Sequence, residues 1–185
     1  TFVTIPDCIF DLTNLKKLSI SYGKFQTISK KIENLKKLES VSFSSEELTS
    51  LPNSMSKLVN LKTIWINITA DTIPLVLFKI PNLVEMHLEW AKCRFFPSQI
   101  PLNKSLKSIN LEHSQIEELS DIFGQLPNLV TFDVAWCRKI SNIPPSFFNL
   151  KQLEFIFFIQ CNISEEQKNQ AIDVFKDVKK IRFEP

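Results

Sequence analysis

The stretch LVEMHLEW, residues 83–90, alternates as a half-buried strand does. Leu83, Met86 and Leu88 are apolar, while Glu85, His87 and Glu89 fall between them and Trp90 closes the stretch. One side of such a strand is consistently buried. The other carries a histidine, two carboxylates and a tryptophan, and the rest of the chain shows what it belongs to.

The same frame, L-x-x-L-x-L, recurs along the whole sequence. It appears as LKKLSI from Leu15, LESVSF from Leu38, LKTIWI from Leu61, LVEMHL from Leu83, LKSINL from Leu106, LVTFDV from Leu129, LEFIFF from Leu153 and VKKIRF from Val178. Successive starts differ by 23, 23, 22, 23, 23, 24 and 25 residues. After most frames comes a second fixed element, as in LTSLPNSM at 48–55, CRFFPSQI at 93–100 and SNIPPSFF at 141–148. A period this regular means a solenoid, in which each unit buries its apolar face against its neighbours.

The frame resembles the leucine-rich repeat family, specifically the 23-residue class with pattern L-x-x-L-x-L-x-x-(N/C)-x-L-x-x-L-P-x-x-I. The resemblance implies an α/β solenoid: a right-handed superhelix with a parallel sheet on the concave side and short 3₁₀ or extended segments on the convex side. Two departures stand out. The ninth position, usually Asn, is here Gly23, Glu46, Thr69, Ala91, Ser114, Cys137 and Cys161, so looser turns are expected in the early units. The third unit is one residue short, in NITADTIP at 67–74.

These units divide a single domain spanning 1–185. Residues 1–14 match the second half of a preceding unit, with Ile5-Pro6 equivalent to Leu51-Pro52, Ile9 to Met55 and Leu12 to Leu58. That remnant predicts either further residues upstream or a surface covering this end. Seven repeats fill 15–163, and 164–185 form a helix-then-strand cap. SEEQ at 164–167 is a capping box, with Ser164 as N-cap and Gln167 three residues on. Ala171, Ile172, Phe175 and Val178 are expected on one helical face. A cap without clustered cysteines resembles bacterial members of the family, spirochaete (Leptospira-like) ones in particular. That resemblance favours a secreted or cell-surface bacterial setting, with host molecules as contacts, over a cytoplasmic one.

Composition narrows the function classes. With 44% apolar residues the chain should be ordered, and no apolar run approaches the ~20 residues of a membrane helix. A net charge of +2, with basic residues dispersed, lacks the stripe of a nucleic-acid binder. Two glycines in the whole chain argue against a glycine-rich phosphate loop. Cys8, Cys93, Cys137 and Cys161 form neither a C-x-x-C pair nor a zinc spacing. They read as buried small hydrophobes, although Cys137 and Cys161 share a repeat position and could be neighbours. No nucleophile elbow or Cys–His pairing appears, so no enzyme, metal or cofactor is expected.

Function should therefore sit where the frame demands nothing. The third, fifth and seventh positions of each unit face the concave side, and the eighth is expected at its rim. The fifth runs Ser19, Ser42, Trp65, His87, Asn110, Asp133, Phe157, Arg182, and the eighth Tyr22, Ser45, Ile68, Trp90, His113, Trp136, Gln160. All three tryptophans fall on this side. Clustered tryptophan rimmed by charge is the usual composition of a binding hot spot. The expected contacts are Trp65, His87, Trp90, His113 and Trp136, with Glu85, Glu89, Glu112 and Asp133 favouring a basic protein or peptide. Three other readings compete: stacking that only stabilises the sheet, tryptophans that stack on sugar rings, and self-assembly. The last would use the doubly apolar strand 153–159, where Phe155, Phe157 and Ile159 are possible homo-oligomer contacts, and the open N-terminal edge.

Overall fold

A computed structural model describes residues 3–184. Each L-x-x-L-x-L frame becomes one strand: β1 Lys17–Gly23, β2 Ser40–Ser45, β3 Thr63–Asn67, β4 Glu85–His87, β5 Ser108–Asn110, β6 Thr131–Asp133, β7 Phe155–Phe157 and β8 Lys180–Arg182. They form one parallel sheet in the order β1 to β8, with every strand next to its sequence neighbours. The pairing register places Ser42, Trp65, His87, Asn110, Asp133 and Phe157 on successive rungs, as the frame requires.

Parallel neighbours need a long return path. Short 3₁₀ turns supply it on the opposite side, at Asp7–Asp11, Lys30–Asn34, Asn53–Lys57, Leu75–Lys79, Phe123–Gln125 and Pro145–Asn149. Pro6, Pro52, Pro74 and Pro144 sit at the N-cap of four of them, where a fixed φ and a missing N–H cost nothing. Leu38, Leu61, Leu83, Leu106 and Leu129 are buried between the two sides. Towards the C-terminal end phenylalanine takes over: the Phe147 ring lies 5.0 Å from Phe123, 5.1 Å from Phe132 and 5.8 Å from both Phe158 and Phe175, centroid to centroid.

The exit from each strand takes one of two forms, and the ninth residue decides which. Where it is small (Gly23, Ala91, Ser114, Cys137, Cys161), it turns inward and the eighth residue takes up left-handed backbone. Tyr22, Trp90, His113, Trp136 and Gln160 have φ between 58° and 65°. Where it is Glu46 or Thr69, which would bury a charge or an unmatched hydroxyl, the strand runs on and the eighth residue turns inward instead. Ser45 and Ile68 are accordingly 2% and 0% exposed. This corrects the expected eight-position rim at those two units. Their turns are extended rather than loose.

The backbone bonds that Asn would make at the ninth position are made by other groups. Ser45 Oγ donates to the Phe25 carbonyl at 2.7 Å, and the Cys137 and Cys161 thiols donate to the Leu111 and Val134 carbonyls at 3.2 Å each. A separate asparagine ladder lies just before the repeat leucine. Asn60, Asn82 and Asn128 donate to the carbonyls of Lys36, Val59 and Lys104 in the preceding unit, at 2.6, 2.7 and 2.8 Å. Buried Asn103 does more, donating to the Phe78 carbonyl and accepting from the N–H groups of Ser105 and Leu106.

At the C-terminal end α1 spans Glu165–Val174. Ser164 accepts the Gln167 N–H, but Gln167 does not reach back. Its amide instead donates to Asn142 Oδ1 and accepts from the Ile143 N–H, so the expected box is half closed and the other half ties the cap to unit six. Ala171 and Phe175 are buried and Val178 is half-buried, whereas Ile172 is 49% exposed. The apolar face of α1 is therefore narrower than its spacing suggests, because one flat neighbour covers only one line of side chains. Leu12, at the opposite end, is likewise exposed where its equivalent Leu58 is buried. Among the described residues no helix is long and apolar enough to cross a membrane.

Candidate ligand-binding face

The concave aromatics form two stacks. On the fifth-position ladder, Trp65 lies over His87 with centroids 5.0 Å apart and planes 13° from parallel. On the eighth-position rail, His113 is held between two tryptophans, 4.0 Å from Trp90 and 5.5 Å from Trp136. The left-handed backbone aims these three rings along the edge of the sheet, one per unit. Arg138 closes the rail, its guanidinium carbon 5.5 Å from the Trp136 centroid. Trp90, at the other end, is 61% exposed, and Trp65 is 41% exposed.

Carboxylates interleave with the rings. His87 Nε2 lies 3.8 Å from Glu85 and Nδ1 lies 3.7 Å from Glu89, and neither nitrogen makes a hydrogen bond. Glu112 approaches His113 Nε2 at 3.6 Å. Glu89 Oε1 accepts from the Asn110 amide at 2.9 Å. Asp133 differs from the other acids because it accepts the Ala135 backbone N–H at 2.9 Å. Burial raises its carboxyl above the ordinary value. That hydrogen bond pulls it back, and the charges of Glu112 and Glu89 push it further up.

The nine expected contacts thus lie on one continuous face over β3 to β6, but they are not one pocket. A shallow depression gathers Trp65, His87, Glu89 and Trp90 with Ser42, Ser44 and Asn67. Glu112, His113, Asp133 and Trp136 continue the face beyond it. Asn67, Asn110 and Arg138 were not singled out from sequence. Asn67 and Asn110 could have been, since they hold seventh and fifth positions beside the tryptophans; Arg138 follows the rail residue by two and carries no such signal.

Phe155, Phe157 and Ile159 are each half-buried. The ammonium groups of Lys179 and Lys180 lie 5.7 Å and 5.5 Å from the Phe155 and Phe157 centroids, so the last strand and the residue before it partly cover β7 from within. All four cysteines are free thiols. Among the described residues no group of three or more His, Cys, Asp or Glu side chains is placed to hold a metal ion.

No family model matches the chain. It is 28% identical over 172 residues to the disease resistance protein RPP2A of Arabidopsis thaliana, covering 90% of this chain and 13% of that protein. The chain spans only 4–13% of the length of the curated relatives it matches. A leucine-rich repeat protein of Leptospira interrogans shares the fold with a TM-score of 0.67 at 22% identity, over 98% of this chain and 58% of that one. The plant peptide hormone receptor RGFR1, solved in complex with RGF2, gives a TM-score of 0.58 at 18% identity over 88% of this chain and 31% of that one. With its repeat frame and its single parallel sheet, the chain has the leucine-rich repeat solenoid fold.

Proposed function

We propose that this domain is a non-enzymatic protein-interaction module whose concave face, over β3 to β6, grips a basic protein or peptide segment. The observation that carries the proposal is the pair of exposed tryptophans, Trp65 and Trp90, in one depression with Glu89 and bordered by Glu85. Nothing in the repeat frame requires these residues, and exposed aromatics beside acidic groups suit a cationic partner. A sheet that already fixes its anchors loses little entropy when the partner docks. The open curvature of the face suits an extended segment better than an enclosed reaction. RGFR1, which shares the fold, is solved with RGF2 bound, and that use of the fold supports a peptide partner here. The resemblance of the cysteine-free helix-strand end to spirochaete members of the family extends the proposal to an exported bacterial protein that meets host molecules.

The test is selection from a random peptide display library on the immobilised domain, followed by counter-binding to a folded Trp65→Ala/Trp90→Asn variant. Net-basic peptides that lose binding to the variant and weaken with added salt are the expected result. Peptides that bind both proteins equally, or none at all, would remove the concave face as the docking surface.

A further inference from the structure

The Trp90–His113–Trp136 rail ends differently at its two ends. At Trp136 the chain supplies its own cation, with the Arg138 guanidinium over the ring. At Trp90 the next rung would come from Ile68, but Ile68 is buried because its unit exits the strand in the other form. Among the described residues Trp90 therefore stacks on His113 alone, and its other face opens into the depression shared with Trp65, Asn67, His87 and Glu89. Glu89 uses Oε1 for Asn110 and His87, which leaves Oε2 without a partner among the described residues.

We infer that this depression seats an arginine side chain of the partner, its guanidinium against the open face of Trp90 and its N–H groups directed to Glu89 Oε2. The inference rests on the concave-face reading and specifies its central contact. Charge and shape both select arginine. A guanidinium is planar, weakly hydrated and stacks on indole while offering several in-plane donors. A lysine ammonium is a compact, strongly hydrated point charge with no flat face. The pair formed by Arg138 and Trp136 shows the same contact made within the chain at the far end of the rail.

The experiment titrates the whole domain with Nα-acetyl-arginine amide and follows the three indole N–H signals by NMR. The citrulline analogue serves as a neutral isostere, and the lysine analogue as a non-planar cation. Saturable shifts of Trp90 and Trp65 with arginine, weaker ones with lysine and none with citrulline are expected, with Trp136 unmoved. Trp90→Asn keeps a residue that tolerates left-handed backbone and should weaken binding about 5- to 30-fold, the range of a partly desolvated cation–π contact. Should that variant fail to fold, Glu89→Gln replaces it, with weaker binding again expected. Equal shifts with citrulline, shifts centred on Trp136, unchanged binding in the variant, or no shift at all would each overturn the inference. A domain that selects concave-face peptides but ignores blocked arginine keeps its docking surface and loses only this seat. A domain that binds blocked arginine but selects no peptide keeps the seat and loses the wider reading.

Discussion

Asn110 and Asp133 occupy the same rung on neighbouring strands, and each accepts the backbone N–H two residues further on, from Glu112 at 2.8 Å and Ala135 at 2.9 Å. The carbonyl oxygen of an amide does this work without charge, whereas Asp133 does it as a half-buried carboxylate beside Glu112. Its carboxyl is raised in the folded state, so the neutral form is the one the fold favours. The stability associated with that form is complete below the unfolded value and is lost as pH rises through the folded one. Asp133→Asn should therefore stabilise the domain at pH 7, raising Tm by about 1–3 °C. The gap between variant and wild type should close as pH falls towards 4. Thermal melts across pH 4–7 measure this, and a variant less stable at pH 7 would show that the charge is needed.

His113 combines an unfavourable backbone with two favourable ring contacts. Its φ is 58°, and its ring is held between Trp90 and Trp136. His113→Ala removes both stacks and keeps the strain, which should cost about 1–3 kcal/mol. His113→Asn loses the stacks but suits left-handed backbone better, so it should cost less. Urea titrations of the two variants compare them directly. Equal losses would mean that the turn geometry contributes nothing to the difference.

The thiols should separate sharply by reactivity. Burial pushes Cys93 and Cys161 up to about 12 and Cys137 up to about 11, while Cys8 is exposed. Iodoacetamide at pH 8 should alkylate Cys8 alone in the native protein and all four cysteines after unfolding, as mass spectrometry would count. Because the folded values are raised, the neutral thiols support the fold fully below about 9, and that support fades between roughly 9 and 12. Alkylation of Cys137 at the rate of Cys8 would show that the ladder opens readily.

Asn103 is the most demanding of the asparagines. Asn103→Ala leaves the Phe78 carbonyl and the N–H groups of Ser105 and Leu106 without their side-chain partner in a buried turn. A loss of about 2–4 kcal/mol is expected. Asn82→Ala, which breaks one bond at the exposed surface, should cost under about 1 kcal/mol. Chemical denaturation distinguishes them, and comparable losses would contradict this ranking.

Much of the fold was legible because leucine spacing is a one-dimensional signal that survives in three dimensions. The fifth-position ladder from Ser42 to Phe157 followed directly from that spacing. The eighth position did not, because whether its side chain faces in or out depends on its neighbour. Ser45 and Ile68 turn inward since Glu46 and Thr69 are poor core residues, and a frame read position by position cannot register that exchange. The displaced asparagine ladder at Asn60, Asn82 and Asn128 was present in the sequence but lay one residue outside the motif. Ile172 was misplaced for another reason: helical spacing identifies an apolar stripe but not how much neighbouring surface exists to cover it. On the proposed face, the alternation in the sequence placed the aromatic and acidic side chains on the concave side. Stacking order, the cap of Arg138 on Trp136 and the open face of Trp90 required the coordinates.

The two ways of leaving a strand make the solenoid a composite in which units two and three obey different rules of substitution from the rest. In units two and three an eighth residue is a core residue, so a bulky indole placed at Ser45 would have to be accommodated inside the sheet. In units four to six the same position is a display site, where side-chain size is nearly free and the ninth residue must stay small. A unit transplanted across the boundary therefore carries its own orientation with it, encoded in two adjacent residues. Duplicating unit four or five would lengthen the aromatic rail by one rung, whereas duplicating unit two would lengthen only the serine-faced sheet. The reach of the proposed recognition surface can thus change by whole-unit copying, without altering any residue that holds the scaffold together.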